Sequence, residues 1–364
     1  MTDLSAPQLV FRDEGIFVPA FEAWIDPPAA SPRAILSHAH ADHAAAGHGE
    51  IWATPETVAI YRRRHPEWTG TARTIPYGVE VWSEERVLAL IPSGHVLGAA
   101  QIRIAGAEGS VLYTGDFRRG PSRTAIPAQA PAADLLVTET TFGLPVFRFP
   151  PRAETEARLV AECRAALDQS VVPIVLAYAL GKSQEAVLAL TEAGIPTVLH
   201  GAAWKLLPEY EAAGFSFPLS RPYESGPAGP GEVLVVPPNA VRSPLVRNVK
   251  KRRILYLSGW ALRDAARAEF DADVLLPMSD HADFDELVSH ASEVGACRVL
   301  THHGYSRDFA RILATRGIDA EALGEGGERT PEVANAADVT FSSNPSSSKE
   351  PHDLEESDEA GDKT

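Results

Sequence analysis

The chain has 364 residues, 45% of them hydrophobic, with two cysteines and a formal net charge of −16. That length admits one large or two ordinary domains, no apolar run is long enough to span a bilayer, and Met1-Thr2-Asp3-Leu4 lacks the basic region and apolar core of a secretory signal, so a cytoplasmic protein is expected. Nine acidic and two basic residues lie between Pro331 and Thr364, leaving −9 for the rest; since phosphates are bound by local clusters, this balance does not exclude a nucleic-acid partner.

From the N-terminus to about residue 145 short apolar strands alternate with turns. Ala34-Ile35-Leu36 runs into Ser37-His38-Ala39-His40-Ala41-Asp42-His43, which places three of the 12 histidines and an aspartate within six positions. Imidazoles on a loop leaving a strand fill a core poorly but ligate a borderline-soft divalent metal well. Alternate side chains of extended backbone share a face, so His38 and His40 can grip one ion. Asp42 and His43, on the following turn, can face a second. Thr54-Pro55 opens a helix through Val58 to Arg64, with Pro at an early helical position. The strand Val87 to Ile91 leads into Pro92-Ser93-Gly94-His95-Val96-Leu97-Gly98. Val111-Leu112-Tyr113-Thr114-Gly115-Asp116 is another strand closed by a tight turn. His95 and Asp116 thus stand at strand C-terminal edges, where ligands to the same ions would sit.

From about residue 150 helices and strands alternate. Glu154 to Leu167 reads as an amphipathic helix and Val171 to Ala177 as a buried strand. Lys182 to Ala193 is a helix, Thr197 to Leu199 a strand and Ala203 to Ala213 a helix. Glu232 to Val236 and Ile254 to Leu257 are further strands, with the Pro/Gly-rich Phe217 to Gly231 a loop between them. This alternation predicts a parallel sheet with helices on both faces. The strand Asp273 to Pro277, the helix Ala282 to Val294 and the strand Arg298 to Thr301 return to the first unit, so the second reads as an insertion. Cys163 and Cys297 read as buried free thiols. The Ser-, Glu- and Asp-rich segment after about residue 330 lacks periodicity and is expected to be disordered.

Taken in order, Asp26 in Trp24-Ile25-Asp26, His38-x-His40-x-Asp42-His43, His95 and Asp116 resemble the motif series of the metallo-beta-lactamase superfamily. Asp134-Leu135-Leu136-Val137-Thr138-Glu139 resembles the Asp/Glu motif of its nucleic-acid-processing branch, the beta-CASP group. Ser279-Asp280-His281-Ala282-Asp283 resembles that branch's histidine motif, and Arg298-Val299-Leu300-Thr301-His302-His303-Gly304 its last motif. Ala179-Leu180-Gly181-Lys182-Ser183-Gln184-Glu185 is similar to a strand-turn-helix of the branch's inserted domain. The resemblance covers about residues 10 to 325. Within the branch it is nearest the bacterial DNA ligase-associated exonucleases, relatives of Artemis, through Tyr256-Leu257-Ser258-Gly259-Trp260-Ala261 and Thr301-His302-His303-Gly304-Tyr305. It implies an α/β fold: a metallo-beta-lactamase αββα sandwich from residues 1–145 and 275–330, an inserted α/β beta-CASP domain at 146–274, and a disordered acidic tail at 331–364. The active site would lie in the cleft between the two domains.

The resemblance also implies two divalent ions, zinc by ligand type, with manganese able to serve because carboxylates share the site. His38, His40 and His95 go to the first ion, Asp42 and His43 to the second, and Asp116 to both. His303 is the last ligand of the second ion, with His302 its alternate. Asp26 would orient ligand histidines from behind. His281 would be the acid for a leaving 3′-oxygen, held by Glu139, whose carboxylate would raise its pKa. Taken alone, His281 reads as a helix N-terminal histidine capped by Asp280. Lys182, opening a helix after Gly181, and Arg242 with Ser243, after Pro237-Pro238-Asn239, are candidate phosphate-binding residues; Lys182 reads equally as a structural turn feature. Arg62-Arg63-Arg64 and the run Arg247 to Arg253 are either solvated faces or contact surfaces. Trp260 reads as partly buried in preference to base-stacking.

The function expected is a metal-dependent DNA exonuclease working from a 5′ end in repair, beside an ATP-dependent DNA ligase and a helicase. Asp42, His281 and Glu139 would carry the chemistry. An RNA-processing nuclease of the same branch is the alternative, favoured by His303 at a position where Artemis-like DNA nucleases carry an apolar residue. A small-molecule metallohydrolase is opposed by the inserted domain and the Glu139–His281 pair. A non-catalytic binding subunit is opposed by the intact ligand set.

Overall fold

The computed structural model describes residues 9–12 and 15–323; the acidic segment 331–364 lies outside them. Three sheets organise the described residues. The first has six strands in sequence order: Val10–Arg12, Gly15–Val18, Ala23–Ile25, Arg33–Ile35, Glu50–Ala53 and Thr71–Thr74. The second has seven, in the order Ala320–Ala322, Arg298–His302, Leu135–Glu139, Gly109–Tyr113, Ala100–Gly106, Arg86–Pro92 and Glu80–Ser83.

These two sheets face each other. Val18, Ile25, Ile35 and Trp52 from the first pack with Leu88, Ile102, Tyr113 and Val137 from the second. The alternation of strand side chains leaves each sheet a second apolar face, covered by one helix on the first sheet and by two on the second. Val58 and Tyr61 of the helix Pro55–Arg64 pack on Ala34, Leu36, Ile51 and Ala53. Leu287 and Ala291 of the helix Phe284–Val294, and Phe309 and Leu313 of Ser306–Thr315, pack on Leu112, Leu136 and Val299. The result is the αββα sandwich that the resemblance implies.

The third sheet is wholly parallel, in the order Ser220–Pro222, Thr197–Leu199, Val233–Val236, Val172–Leu176, Arg252–Leu257 and Val274–Leu276. Both faces are buried, as its near-continuous Val/Ile/Leu runs require. Val175, Val235 and Leu255 face the helices Arg152–Asp168 and Lys182–Glu192. Ile174, Leu234 and Ile254 face Val241, Val246 and Phe270. The first of these clusters also takes in Ala39, Val96 and Leu97, from the histidine-bearing loops of the sandwich. The whole third sheet lies in the chain between two neighbouring strands of the second. Leu135–Glu139 precedes it, Arg298–His302 follows it, and the two pair in parallel with Glu139 opposite His302.

The structure departs from the sequence reading at four places. Ala203 to Ala213 is two short helices, Gly201–Trp204 and Leu207–Ala212. Pro208 has no N–H to bond back along a continuous helix but suits the first turn of a new one. The stretch Phe217 to Gly231 contains the edge strand Ser220–Pro222, where a terminal proline leaves no ladder bond unmade. Cys297, just ahead of the strand Arg298–His302, is exposed, whereas Cys163 is buried; both are free. The helix after His281 begins at Phe284 and is capped by Asp283, which accepts from Glu286 N, so Asp280 is not its cap.

Candidate metal centre

The loop after the strand Arg33–Ile35 is tied down from behind by Asp26. This residue sits at φ 42° after the strand Ala23–Ile25. Its carboxylate accepts from Ser37 N at 2.7 Å, from the Ser37 hydroxyl, from the Tyr113 hydroxyl at 3.0 Å and from His43 Nδ1 at 2.9 Å. His43 N and Ala44 N both bond to the His40 carbonyl, turning the chain so that His43 comes back beside His38.

Three imidazoles converge here. His38 Nε2 lies 3.1 Å from His40 Nδ1, which lies 2.9 Å from His95 Nε2. The opposite nitrogen of each ring shows which tautomer is present. His95 Nδ1 faces the Asp280 carbonyl at 3.0 Å and His40 Nε2 the Leu180 carbonyl at 3.3 Å. A carbonyl only accepts, so these nitrogens carry the protons. The Ser37 hydroxyl gives its hydrogen to Asp26, so its oxygen accepts from His38 Nδ1 at 3.0 Å. Three lone pairs therefore point at one another. Burial, with repulsion from neighbouring histidines, holds the pKa of His38 and of His95 well below the ordinary value. Neutral nitrogens crowded in this way fit a shared cation and little else.

Asp116, after the strand Gly109–Tyr113, stands between this group and a second. Its Oδ2 is 3.5 Å from His38 Nε2 and 3.6 Å from His95 Nε2, and its Oδ1 is 3.5 Å from His43 Nε2. Burial pushes its carboxyl up to about 7, with His43 and His281 pulling it back. His43 Nε2 is buried and has no hydrogen-bond partner among the described residues, an arrangement that fits a metal-ligating nitrogen. Asp42 Oδ2 lies 4.0 Å from it on an exposed side chain. Donor atoms of His38, His40, His95 and Asp116 form one group compact enough for an ion, and those of His43, Asp116 and His303 form another.

His303 enters through an unusual turn. It has φ 59°, and Gly304 follows at φ 57°, where an added Cβ would lie 2.4 Å from the Thr140 carbonyl. His302, the last residue of its strand, turns the other way and stacks on Tyr113 with ring centres 5.4 Å apart. The structure thus brings His303 into the second group and leaves His302 behind it.

Glu139 ends its strand beside both groups. It accepts from Phe117 N at 2.8 Å and from the Thr141 hydroxyl, and its two oxygens lie 3.1 and 2.9 Å from His281 Nδ1. Burial opposes the His281 charge, but Glu139 and Asp116 outweigh it and raise the pKa to about 9. The His281 and His95 rings are 4.6 Å apart.

The phosphate-binding candidates stand differently. Lys182 is buried, with Nζ 2.9 Å from Asp280 Oδ2 and 5.0 Å from the Tyr178 ring centre, so its ammonium is already engaged. Arg242 is exposed at the end of a 3₁₀ turn, and Ser243 precedes the helix Pro244–Arg247. No described hydrogen bond or ion pair joins either to the site, and Val241 and Val246 pack on the third-sheet face away from Ala39 and Val96. The basic run of the first helix braces the fold: Arg63 pairs with Glu209 at 2.7 Å, and Arg64 donates to the Ala39 carbonyl at 2.7 Å. Arg253 pairs with Glu162 at 2.6 Å. Trp260 is half-buried against Phe142 and Phe147.

Sequence reasoning missed Ser37, Tyr113 and Thr141, which hold Asp26, His38 and Glu139, and the carbonyls of Leu180 and Asp280. Ser37 adjoins the histidine run and could have been noticed; a main-chain carbonyl leaves no mark in residue type.

The sandwich and the paired ligand groups define a metallo-beta-lactamase-type protein. No family model matches the chain. It is 36% identical over 337 residues to a probable DNA ligase of Opitutus terrae, covering 90% of this chain and 33% of that protein. It is 30% identical over 195 residues to endoribonuclease ysh1 of Aspergillus fumigatus, covering 43% of this chain and 22% of that protein. The chain therefore spans a third or less of either relative. A protein of unknown function from Enterococcus faecalis V583 shares the fold, with a TM-score of 0.55 at 18% identity over 81% of this chain and 80% of that one. These likenesses are consistent with the beta-CASP branch of the metallo-beta-lactamase superfamily.

Proposed function

We propose that this chain is a metal-dependent nuclease that hydrolyses phosphodiester bonds in DNA from a 5′ end. The observation that supports this best is Asp116, shared by two histidine groups and lying within 3.9 Å of the His281 ring held by Glu139. His38, His40 and His95 would hold one divalent cation and Asp42, His43 and His303 a second, with Asp116 offering an oxygen to each. Zinc suits the imidazoles, and manganese is compatible with the shared carboxylate. When bound, such a pair activates water as a nucleophile and neutralises charge gathering on phosphorus.

The chain's own residues do the rest. Asp26 fixes the Nδ1–H of His43 and, through Ser37, that of His38. Glu139 holds His281 by Nδ1 and keeps the ring protonated at neutral pH. Its Nε2–H is then the proton for a leaving 3′-oxygen. DNA, and work beside an ATP-dependent ligase in repair, is supported by the likeness to a probable DNA ligase across 90% of the chain. A helicase partner rests on the resemblance alone. An RNA substrate is the second reading, supported by the likeness to an endoribonuclease and by His303 itself.

End-labelled DNA and RNA of both polarities, incubated with titrated zinc or manganese, test this. Label should be released from 5′-labelled DNA, with Asp42→Ala at least ~100-fold slower through loss of a metal-site carboxylate. His281→Ala should slow cleavage while leaving metal content unchanged. Equal release by wild type and Asp42→Ala would sink the nuclease reading, and cleavage of RNA alone would establish the second one.

A further inference from the structure

Two of the three histidines in the first ligand group are oriented by main-chain carbonyls from outside the loops that carry them. His40 Nε2 meets the Leu180 carbonyl, and His95 Nδ1 meets the Asp280 carbonyl. Leu180 follows the third-sheet strand Val172–Leu176, and Asp280 follows Val274–Leu276. Two residues beyond Leu180, Lys182 reaches across to Asp280, Nζ to Oδ2, at 2.9 Å, with the side chains only 6% and 2% exposed. We infer that the Lys182–Asp280 pair is a clamp that positions these two carbonyls and so sets the metal affinity of the His38–His40–His95 group. This rests on reading that group as a metal site.

The surroundings support the clamp. Gly181 follows Leu180 in the first of these turns, and a Cβ there would come 2.6 Å from Val96 Cγ1 and 3.0 Å from Asp280 Oδ2. Val96 adjoins His95, so the turn presses directly on the histidine loop. The peptide at Ser279 is held as well. Arg118 donates to the Ser279 carbonyl, and Arg152 does so at 3.4 Å while pairing with Glu185 at 2.8 Å. Asp280 Oδ1 has Arg152 at 3.8 Å, so Lys182 is its close counter-charge. Removing that ammonium would leave a buried carboxylate without a close partner, and the peptide would have to move to solvate it. The Asp280 carbonyl would move too, and with it the bond that fixes the His95 tautomer. A phosphate drawn to Lys182 would have to break the same pair.

Zinc titration of the metal-stripped full chain against a competing chromophoric chelator reads this without relying on cleavage. Wild type should take up two ions. Lys182→Met and Asp280→Asn should each weaken one site by about 10–100-fold, the usual effect of losing an outer partner of a metal ligand, and leave the other within about threefold. Lys182→Arg, which keeps the charge, should recover most of the loss. If Lys182→Met does not fold, the Lys182→Met/Asp280→Asn double variant, which buries no lone charge, should show the same loss at one site. Unchanged zinc affinities in a folded variant would overturn the clamp, and a raised KM for nucleic acid in that variant would return Lys182 to phosphate binding. Fewer than two ions on wild type would instead sink the two-ion reading beneath it.

Discussion

His43 and His290 are both buried, and their neighbours drive them in opposite directions. His43 has the carboxylates of Asp116, Asp42 and Asp26 around it; burial opposes its charge, yet its pKa is raised well above the ordinary value. His290, in the helix Phe284–Val294, lies against the Phe117 ring with centres 4.4 Å apart, and neither of its nitrogens has a hydrogen-bond partner among the described residues. Burial, with Arg119 adding to it and Glu293 opposing, lowers its pKa to about 3. The folded chain therefore excludes a proton that the unfolded chain binds below about pH 6.5. The stability this group supports is full above that pH and is lost as pH falls toward 3, at up to about 1.4 kcal/mol per pH unit. His290→Leu should remove this loss. Urea unfolding at pH 8 and pH 5 should show a smaller acid penalty in the variant than in wild type; an equal penalty in both would exonerate His290.

At the scale of elements, the turn after Arg298–His302 depends on a backbone that only glycine supplies. Gly304→Ala would set a Cβ 2.4 Å from the Thr140 carbonyl and 2.5 Å from Thr141 Cα, at positive φ. Neither neighbour is a flexible side-chain end, so strain and displacement should cost about 2–3 kcal/mol. Because Thr141 binds Glu139 and His303 precedes the glycine, cleavage should fall along with the melting temperature; a variant with wild-type melting behaviour would show that the turn relaxes freely. The His-Gly pair was visible in the sequence, but the reason for it was not, since it lies in a backbone contact between distant segments. Elsewhere, strands and helices with strong periodicity, such as Val172–Leu176 and Lys182–Glu192, fell within a residue or two of where the pattern placed them. Pro208 shows the opposite case: its break is local chemistry that the apolar pattern around it masked. The metal-ligand types stood in plain view because His, Asp and Glu are chemically distinctive. Lys182 stays open in the sequence because a helix-opening lysine looks the same whether it meets a phosphate or a buried aspartate.

For the whole molecule, the consequence is that the ligand groups lie at a junction. His38 and His43 come from the first sheet's edge, and His95, Asp116 and His303 from the second's. The carbonyls behind His40 and His95 come from the third-sheet segment. Cations bound there would bind the native arrangement and not the unfolded chain, so they stabilise by mass action, about 2.7 kcal/mol at a hundredfold excess over the dissociation constant. In a chain of this size that corresponds to a rise of roughly 4 °C in melting temperature for each ion. The core continuous from Ala39 and Val96 into Val175 and Leu255 couples the sandwich to the third sheet. Metal stripping should therefore lower one cooperative transition and not split off a part of it. Calorimetric scans of zinc-loaded and chelator-treated protein should show that single shift, and Asp116→Ala, which removes the carboxylate common to both groups, should largely abolish it. Two transitions of which only one responds would mean that the histidine loops hold the ions without help from the third sheet, and the carbonyls of Leu180 and Asp280 would then be bystanders.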